Sequence, residues 1–150
     1  MEPIKIIECP RDAMQGIKPF IPTERKVAYI QSLLRVGFDT IDFGSFVSPK
    51  AIPQMQDTAE VLERLDLSQT RSKLLAIIAN TQGARLASVH SEIQYLGFPF
   101  SISENFQMRN THKTIAESLI TLQEILEIAD KSNKEVVAYL SMGFGNPYGD

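Results

Sequence analysis

Short apolar runs alternate along this chain with longer stretches whose apolar residues recur every three or four positions. Residues 4–9 carry Ile4, Ile6 and Ile7 and stop at Pro10, which predicts a strand buried on both faces, as parallel strands are. A loop holding Gly16, Pro19 and Pro22 follows. Thr23 is placed to cap a helix with Val27, Ile30 and Leu34 on one side, and Gly37 to end it. Residues 40–46 form the next predicted strand, and 47–55, with Pro49 and Pro53, a long loop. Asp57 and Glu60 have capping-box spacing ahead of Val61, Leu62 and Leu65, and 73–79 is apolar enough to be a buried strand. Ala84, Leu86, Ala87 and Val89 suggest a helix within 80–92. Residues 95–102 form a strand in which Pro99 demands an edge, a bulge or a boundary. Thr114 and Glu117 make a second capping box, after which Ile115, Leu119, Leu122, Leu126 and Ala129 keep one face apolar to about Ser132. A last strand covers 135–141.

Strand and helix in repeated alternation, with strands apolar throughout, predict right-handed βαβ units on one parallel sheet, an α/β domain spanning 1–150. Two architectures share that pattern. A complete (β/α)8 TIM barrel takes about 250 residues, so this chain would be its N-terminal half, strands 1 to 5, apparently truncated. A doubly wound, flavodoxin-like sheet would be complete at this length. Against the second, no phosphate-cradling glycine loop follows the first strand; for the first, polar residues gather after successive strands, as at a barrel mouth. A half barrel would expose unpaired edges on its first and last strands and is expected to self-associate when alone.

Composition narrows the partners. With 150 residues, 43% hydrophobic and 22% charged, the chain has ordinary soluble composition. A net charge of -3 and scattered Lys and Arg offer no basic face, so no nucleic acid is expected. No apolar run reaches the roughly 20 residues of a bilayer span, so no membrane is expected either. The single Cys9 excludes an internal disulfide and suits a reducing compartment, the cytoplasm. Met1, Glu2 and Pro3 lead straight into the first strand without the layout of a signal or transit peptide.

Arg11 and Asp12 directly follow the first strand. Side by side they read either as an oxyanion stabiliser beside a metal ligand or as a surface ion pair worth under about 1 kcal/mol. Asp42 lies inside an apolar strand, where a lone carboxylate costs several kcal/mol unless paired or metal-bound. Ser45, Asn80, Ser101, Ser103 and Glu104 sit at or just past strand ends; each alone fits a cap or turn, and their shared placement is the signal. His90 and His112 fall on or beside helices without metal-ligand spacing and read as structural or solvated. Cys9 reads as a packed thiol within the first strand.

Several stretches carry a family resemblance. Residues 6–15, with Glu8, Pro10, Arg11, Asp12 and Gln15, resemble the first-strand signature V-E-V-G-P-R-D-G-L-Q of 3-hydroxy-3-methylglutaryl-CoA lyases. Residues 41–55, including Ser45 to Lys50 and Pro53 to Met55, resemble I-E-x-x-S-F-V-S-P-K-x-x-P-Q-M. Ser101, Ser103, Glu104, Phe106 and Asn110, then Glu117 and Ser118, resemble S-x-S-E-x-F-x-x-x-N and its helix. Residues 139–148 are similar to Y-V-S-C-x-x-G-C-P-Y. The resemblance implies a TIM-barrel metallolyase acting on an acyl-CoA, with a divalent cation (Mg or Mn), and a place in leucine catabolism. It implies that Arg11 polarises the thioester carbonyl and that Asp12 binds the metal beside later ligands, two histidines and an asparagine, outside this chain. Asp42 joins Arg11 as catalytic, and Gln15, Ser45, Asn80 and Ser103 line the substrate. The implied reaction cleaves the tertiary alcohol to acetyl-CoA and acetoacetate, in a homo-oligomer when full length.

The chain departs from the family pattern at Asp42, which replaces Glu, at Ala13, which replaces Gly, and at Met142 and Asn146, which replace two cysteines. Ala13 would be strained if that loop needed a positive φ. Two rival readings accompany the lyase: an aldol-type acyl-CoA synthase or carboxyltransferase of the same superfamily, whose members usually carry T-L-R-D-G where this chain has Pro10, Arg11 and Asp12, and a non-catalytic acyl-CoA-binding protein.

Overall fold

The computed structural model describes residues 4–149. The reading of Met1 to Pro3 as a leaderless start therefore falls outside the described residues, as does Asp150. Strands β1 (Ile7–Glu8), β2 (Thr40–Ser45), β3 (Lys73–Ile77), β4 (Ile93–Ser101) and β5 (Glu135–Ser141) form one all-parallel sheet in the order β1-β2-β3-β4-β5. That order decides between the two architectures. A doubly wound sheet reverses direction at a switch point, whereas here each strand is added beside its predecessor, so every right-handed crossover leaves its helix on the same face. The result is half of a barrel wall.

Between the strands run α1 (Pro10–Gln15), α2 (Thr23–Leu34), a 3-10 turn at Pro53–Met55, α3 (Thr58–Glu63), α4 (Thr81–Ser88), α5 (Glu104–Thr111) and α6 (Ile115–Lys131). The main core lies between sheet and helices. Ile41 and Phe43 of β2, Leu74 and Ala76 of β3, and Leu96 and Phe98 of β4 pack there with Ile30, Ala84, Ala87 and Ile125, all at most 2% exposed. The opposite face of the sheet carries Asp42, Leu75, Ile77 and Gly97. A side chain at Gly97 would meet Ile77 Cδ1 at 2.6 Å and Leu75 Cδ2 at 2.8 Å, so glycine there keeps the concave face tightly packed.

Several sequence expectations need correction. The first strand is two residues long and is not buried on both faces: Ile4 is 93% exposed and Ile7 41%, because β1 pairs only with β2. Cys9 lies past that strand, half-buried at the start of α1. Pro10, which stops the strand, opens this unexpected helix, where its fixed φ and missing N–H cost nothing. Ala13 is helical, so glycine's replacement there carries no strain. Thr23 is the first residue of α2 rather than its cap, which is Pro22. Asp57 precedes α3 without a side-chain cap bond; its carboxylate instead takes Thr23 Oγ1 at 2.8 Å and the buried Lys26 ammonium at 2.6 Å. Leu65 lies beyond α3, which ends at Glu63.

Other features follow the pattern. The Thr114–Glu117 capping box is formed in full. The C-cap of α2 is Arg35 rather than Gly37, which lies in the turn beyond it at φ +86°, a backbone state glycine tolerates. Pro99 sits inside β4, yet only where β3 has ended. The β3–β4 ladder stops at Ile77 and Gly97, and Pro99, two residues on, faces the same side with no N–H required of it.

Candidate active site at the strand C-termini

A parallel sheet gathers all its strand C-termini at one end, and in barrels that end carries the chemistry. Here it holds a cavity of about 600 Å³ walled by Arg11, Gln15, Asn80, Asn110, Lys113 and Tyr139 among others, drawn from every strand or the segment after it.

Its most ordered part is an ion-pair network. Asp42 on β2 is fully buried at 0% exposure and Arg11 is 9% exposed. Arg11 Nη2 donates to Asp42 Oδ2 at 2.6 Å, and Nε donates to both carboxylate oxygens at 3.2 Å. Nη1 turns the other way, donating to Asp12 Oδ1 and Gln15 Oε1 at 3.0 Å each, and Gln15 Nε2 donates to Asp12 Oδ1 at 2.8 Å. Local structure explains the assembly. The short helix opened by Pro10 sets Arg11 and Gln15 one turn apart, and the pairing of Glu8 with Ile41 brings α1 over Asp42.

Burial pushes the Asp42 carboxyl up from the usual carboxylate range while the Arg11 contacts pull against it. The guanidinium is desolvated too, but the hydrogen bonds and charge of Asp42 raise it further, so it stays a cation. A desolvated pair of this kind fixes a charge in place rather than adding much net stability. Cys9, beside the network, is pushed up by burial and then by the Asp42 charge, which favours the packed thiol over a nucleophile.

Thus Arg11, Asp12, Gln15 and Asp42 come together, and Asn80 joins Arg11 and Gln15 on the cavity wall while its Oδ1 caps α4 by accepting from Gly83 N at 2.9 Å. Ser45 and Ser103 stand outside that wall. Ser45 Oγ accepts from Val47 N at 3.2 Å, and Ser103 Oγ caps α5 by accepting from Phe106 N at 3.1 Å. His90 stacks against Phe46, with ring centroids 5.5 Å apart, and His112 ends α5 at φ 55°, structural places for both. Of the two cysteine replacements, Met142 takes φ 65° and Asn146 accepts from Tyr148 N at 2.7 Å.

Sequence reasoning missed Tyr139 and Lys113. The Tyr139 hydroxyl is buried and has no hydrogen-bond partner among the described residues. Burial, then the Asp42 charge, pushes its phenol up to about 12. Position at the C-terminal end of a strand was the available signal for Tyr139; Lys113, in a link between helices, offered none.

No group of three or more His, Cys, Asp or Glu side chains that could hold a metal lies together among the described residues. The Asp12 carboxylate, 62% exposed, is anchored through Oδ1 by Arg11 and Gln15. No helix among the described residues is long and apolar enough to cross a membrane.

No protein-family profile matches the chain. The cytoplasmic 3-hydroxy-3-methylglutaryl-CoA lyase of Rattus norvegicus is 33% identical over 150 residues, 98% of this chain and 43% of the relative. The solved HMG-CoA lyase of Bacillus subtilis superposes with a TM-score of 0.90 at 34% identity, over 97% of this chain and 48% of its own. That of Acinetobacter baumannii, in complex with coenzyme A and 3-methylmalate, does so with a TM-score of 0.88 at 30% identity, over 97% and 47%. The chain therefore spans about half the length of the relatives it matches. In sequence and in fold it is a homologue of the hydroxymethylglutaryl-CoA lyases, corresponding to the N-terminal half of their barrel.

Proposed function

We propose that this protein serves as a hydroxymethylglutaryl-CoA lyase-like enzyme, a divalent-metal-dependent carbon-carbon lyase. It would cleave 3-hydroxy-3-methylglutaryl-CoA, or a related 3-hydroxyacyl-CoA, to acetyl-CoA and acetoacetate in a retro-Claisen reaction. The observation that carries this reading is the Arg11 guanidinium held rigid by a fully buried carboxylate at the wall of the mouth cavity.

Breaking the bond sends an electron pair onto the thioester, and the developing enolate oxygen needs a fixed positive partner. A cation already oriented by Asp42 stabilises that charge without reorganising as it forms. Asp42, out of reach of substrate, is in these terms a positioning residue for Arg11. Gln15 holds the outer edge of the same guanidinium and borders the substrate space. Asn80 presents its amide from the α4 cap. Ser45 acts through Val47, a wall residue whose N–H it accepts, and Ser103 through α5, which carries the wall residue Asn110.

Asp12 supplies one hard oxygen donor of the kind Mg or Mn takes, and no group of three or more His, Cys, Asp or Glu completes a site among the described residues. A bound divalent cation would lower the pKa of the substrate hydroxyl. The single cysteine supports a cytoplasmic setting and leucine catabolism fits the substrate. The apolar side chains exposed near both sheet edges, Ile7 and Leu140, support self-association.

The test is magnesium-dependent acetoacetate formation from 3-hydroxy-3-methylglutaryl-CoA by the protein together with any coding sequence that continues it. Arg11→Met should lower kcat by about 100- to 1000-fold, the usual loss for one oxyanion partner, and Asp12→Asn should abolish the magnesium-dependent activity. A folded, metal-loaded protein that turns over nothing would overturn the lyase in favour of a synthase, a carboxyltransferase or a non-catalytic acyl-CoA binder.

A further inference from the structure

We propose that Lys113 is a specificity-determining residue whose ammonium binds the free carboxylate of a dicarboxylic acyl thioester, selecting such ligands over thioesters with a neutral tail. The inference rests on the acyl-CoA reading above and deepens it.

Lys113 lies in the short link between α5 and α6 and contributes to the cavity wall. Arg11 is the other charged residue of that wall, and its charge is already met by Asp42 and Asp12. Lys113 is different: among the described residues no carboxylate pairs with it. Nζ donates to Thr121 Oγ1 at 2.6 Å, one bond for a group with three donors. Glu117, one turn into α6, feels the Lys113 charge without forming an ion pair with it, its Oε2 accepting from Thr114 N at 2.8 Å and Thr114 Oγ1 at 2.9 Å.

An anion in the cavity would take the two N–H donors of the ammonium that Thr121 leaves open. No Asp or Glu lines the wall to compete for the site. With the thioester carbonyl at Arg11, the second cation in the same cavity falls to the far end of the acyl chain.

Calorimetric titration with glutaryl-CoA and butyryl-CoA separates the outcomes, because the two differ in the terminal carboxylate alone. The wild-type protein should bind glutaryl-CoA about 10- to 100-fold more tightly, the range of a charge-assisted hydrogen bond. Lys113→Gln and Lys113→Met should erase that preference, and Lys113→Arg should keep it. Butyryl-CoA affinity should stay unchanged in all three, which also reports an intact fold. A preference that survives Lys113→Gln overturns the proposal. So does an equal loss for both ligands, which would put the ammonium on a phosphate of coenzyme A. Binding is read without turnover: a Lys113-dependent preference in a protein that cleaves no 3-hydroxy-3-methylglutaryl-CoA sinks the lyase and leaves the carboxylate site standing. Turnover with a preference indifferent to Lys113 does the reverse.

Discussion

Replacing Asp42 with asparagine preserves the shape of the side chain and removes its charge, leaving the Arg11 guanidinium 9% exposed without its main counter-ion. Removing one partner of a buried ion pair costs about 3–5 kcal/mol, most of it the penalty of the stranded charge. Two features of the network set the value near the lower end. Nη1 keeps Asp12 at 3.0 Å as a partly exposed counter-charge, and an asparagine Oδ1 can still accept one of the bonds Asp42 now receives. The expected loss is therefore about 3 kcal/mol. Urea denaturation would read it as a lower midpoint at unchanged slope. Arg11→Met should cost less near pH 5 than at pH 7, because Asp42, already pushed up by burial, can take a proton once its cation is gone. The double variant Asp42→Asn/Arg11→Met should be more stable than the sum of the two losses implies, by at least about 1 kcal/mol. Additive losses, or an Asp42→Asn penalty under about 1 kcal/mol, would show that the pair is not the desolvated anchor its geometry describes.

Two further outcomes follow from other parts of the molecule. The Tyr139 phenol is raised to about 12, and an unfolded tyrosine titrates at about 10. The folded state thus holds its proton the longer: the stability linked to this group is fully present below about pH 10 and is lost as pH rises through 12. A difference absorbance titration against Tyr139→Phe checks it, and a tyrosinate signal centred near 10 would refute the buried setting. Thr114→Ala removes the hydroxyl half of the cap on α6, keeps the backbone N–H that donates to Glu117, and should cost about 1 kcal/mol in chemical denaturation; no loss would mean the hydroxyl adds nothing beyond tertiary packing.

Local signals were legible where no distant partner competed for them. The Thr114–Glu117 box announces α6 because both of its groups bond within one turn. Asp57 and Glu60 have the same spacing, yet Asp57 bonds to Lys26, 31 positions away, because neutralising a buried ammonium outweighs capping a six-residue helix. Apolarity in residues 4–9 predicted burial, but it cannot say whether a strand has a neighbour on both sides, and β1 has one. Asp42 stood out as a lone carboxylate in an apolar strand. That its partner is Arg11 depends on the β1–β2 register, which hydrophobic pattern alone does not specify. Nothing in the periodicity marked Lys113, since its significance comes from the mouth cavity it borders, which is assembled from segments far apart in the chain.

Strand order equal to chain order has a kinetic meaning as well. Every ladder joins consecutive strands, so no pairing must wait for a remote part of the chain, and the loop-closure cost of each addition is that of a single connection. The sheet can accrete one βα unit at a time as the polypeptide emerges, each new strand templated by the last. In such a growing edge, cooperativity is nearest-neighbour and protection is greatest inside. Leu74 to Ile77, flanked on both sides, form the last stretch to open, while Ile7 and Glu8 fray first. The Arg11–Asp42 pair straddles that fraying margin, and by tying α1 to β2 it closes the seam at which the sheet would otherwise begin to come apart.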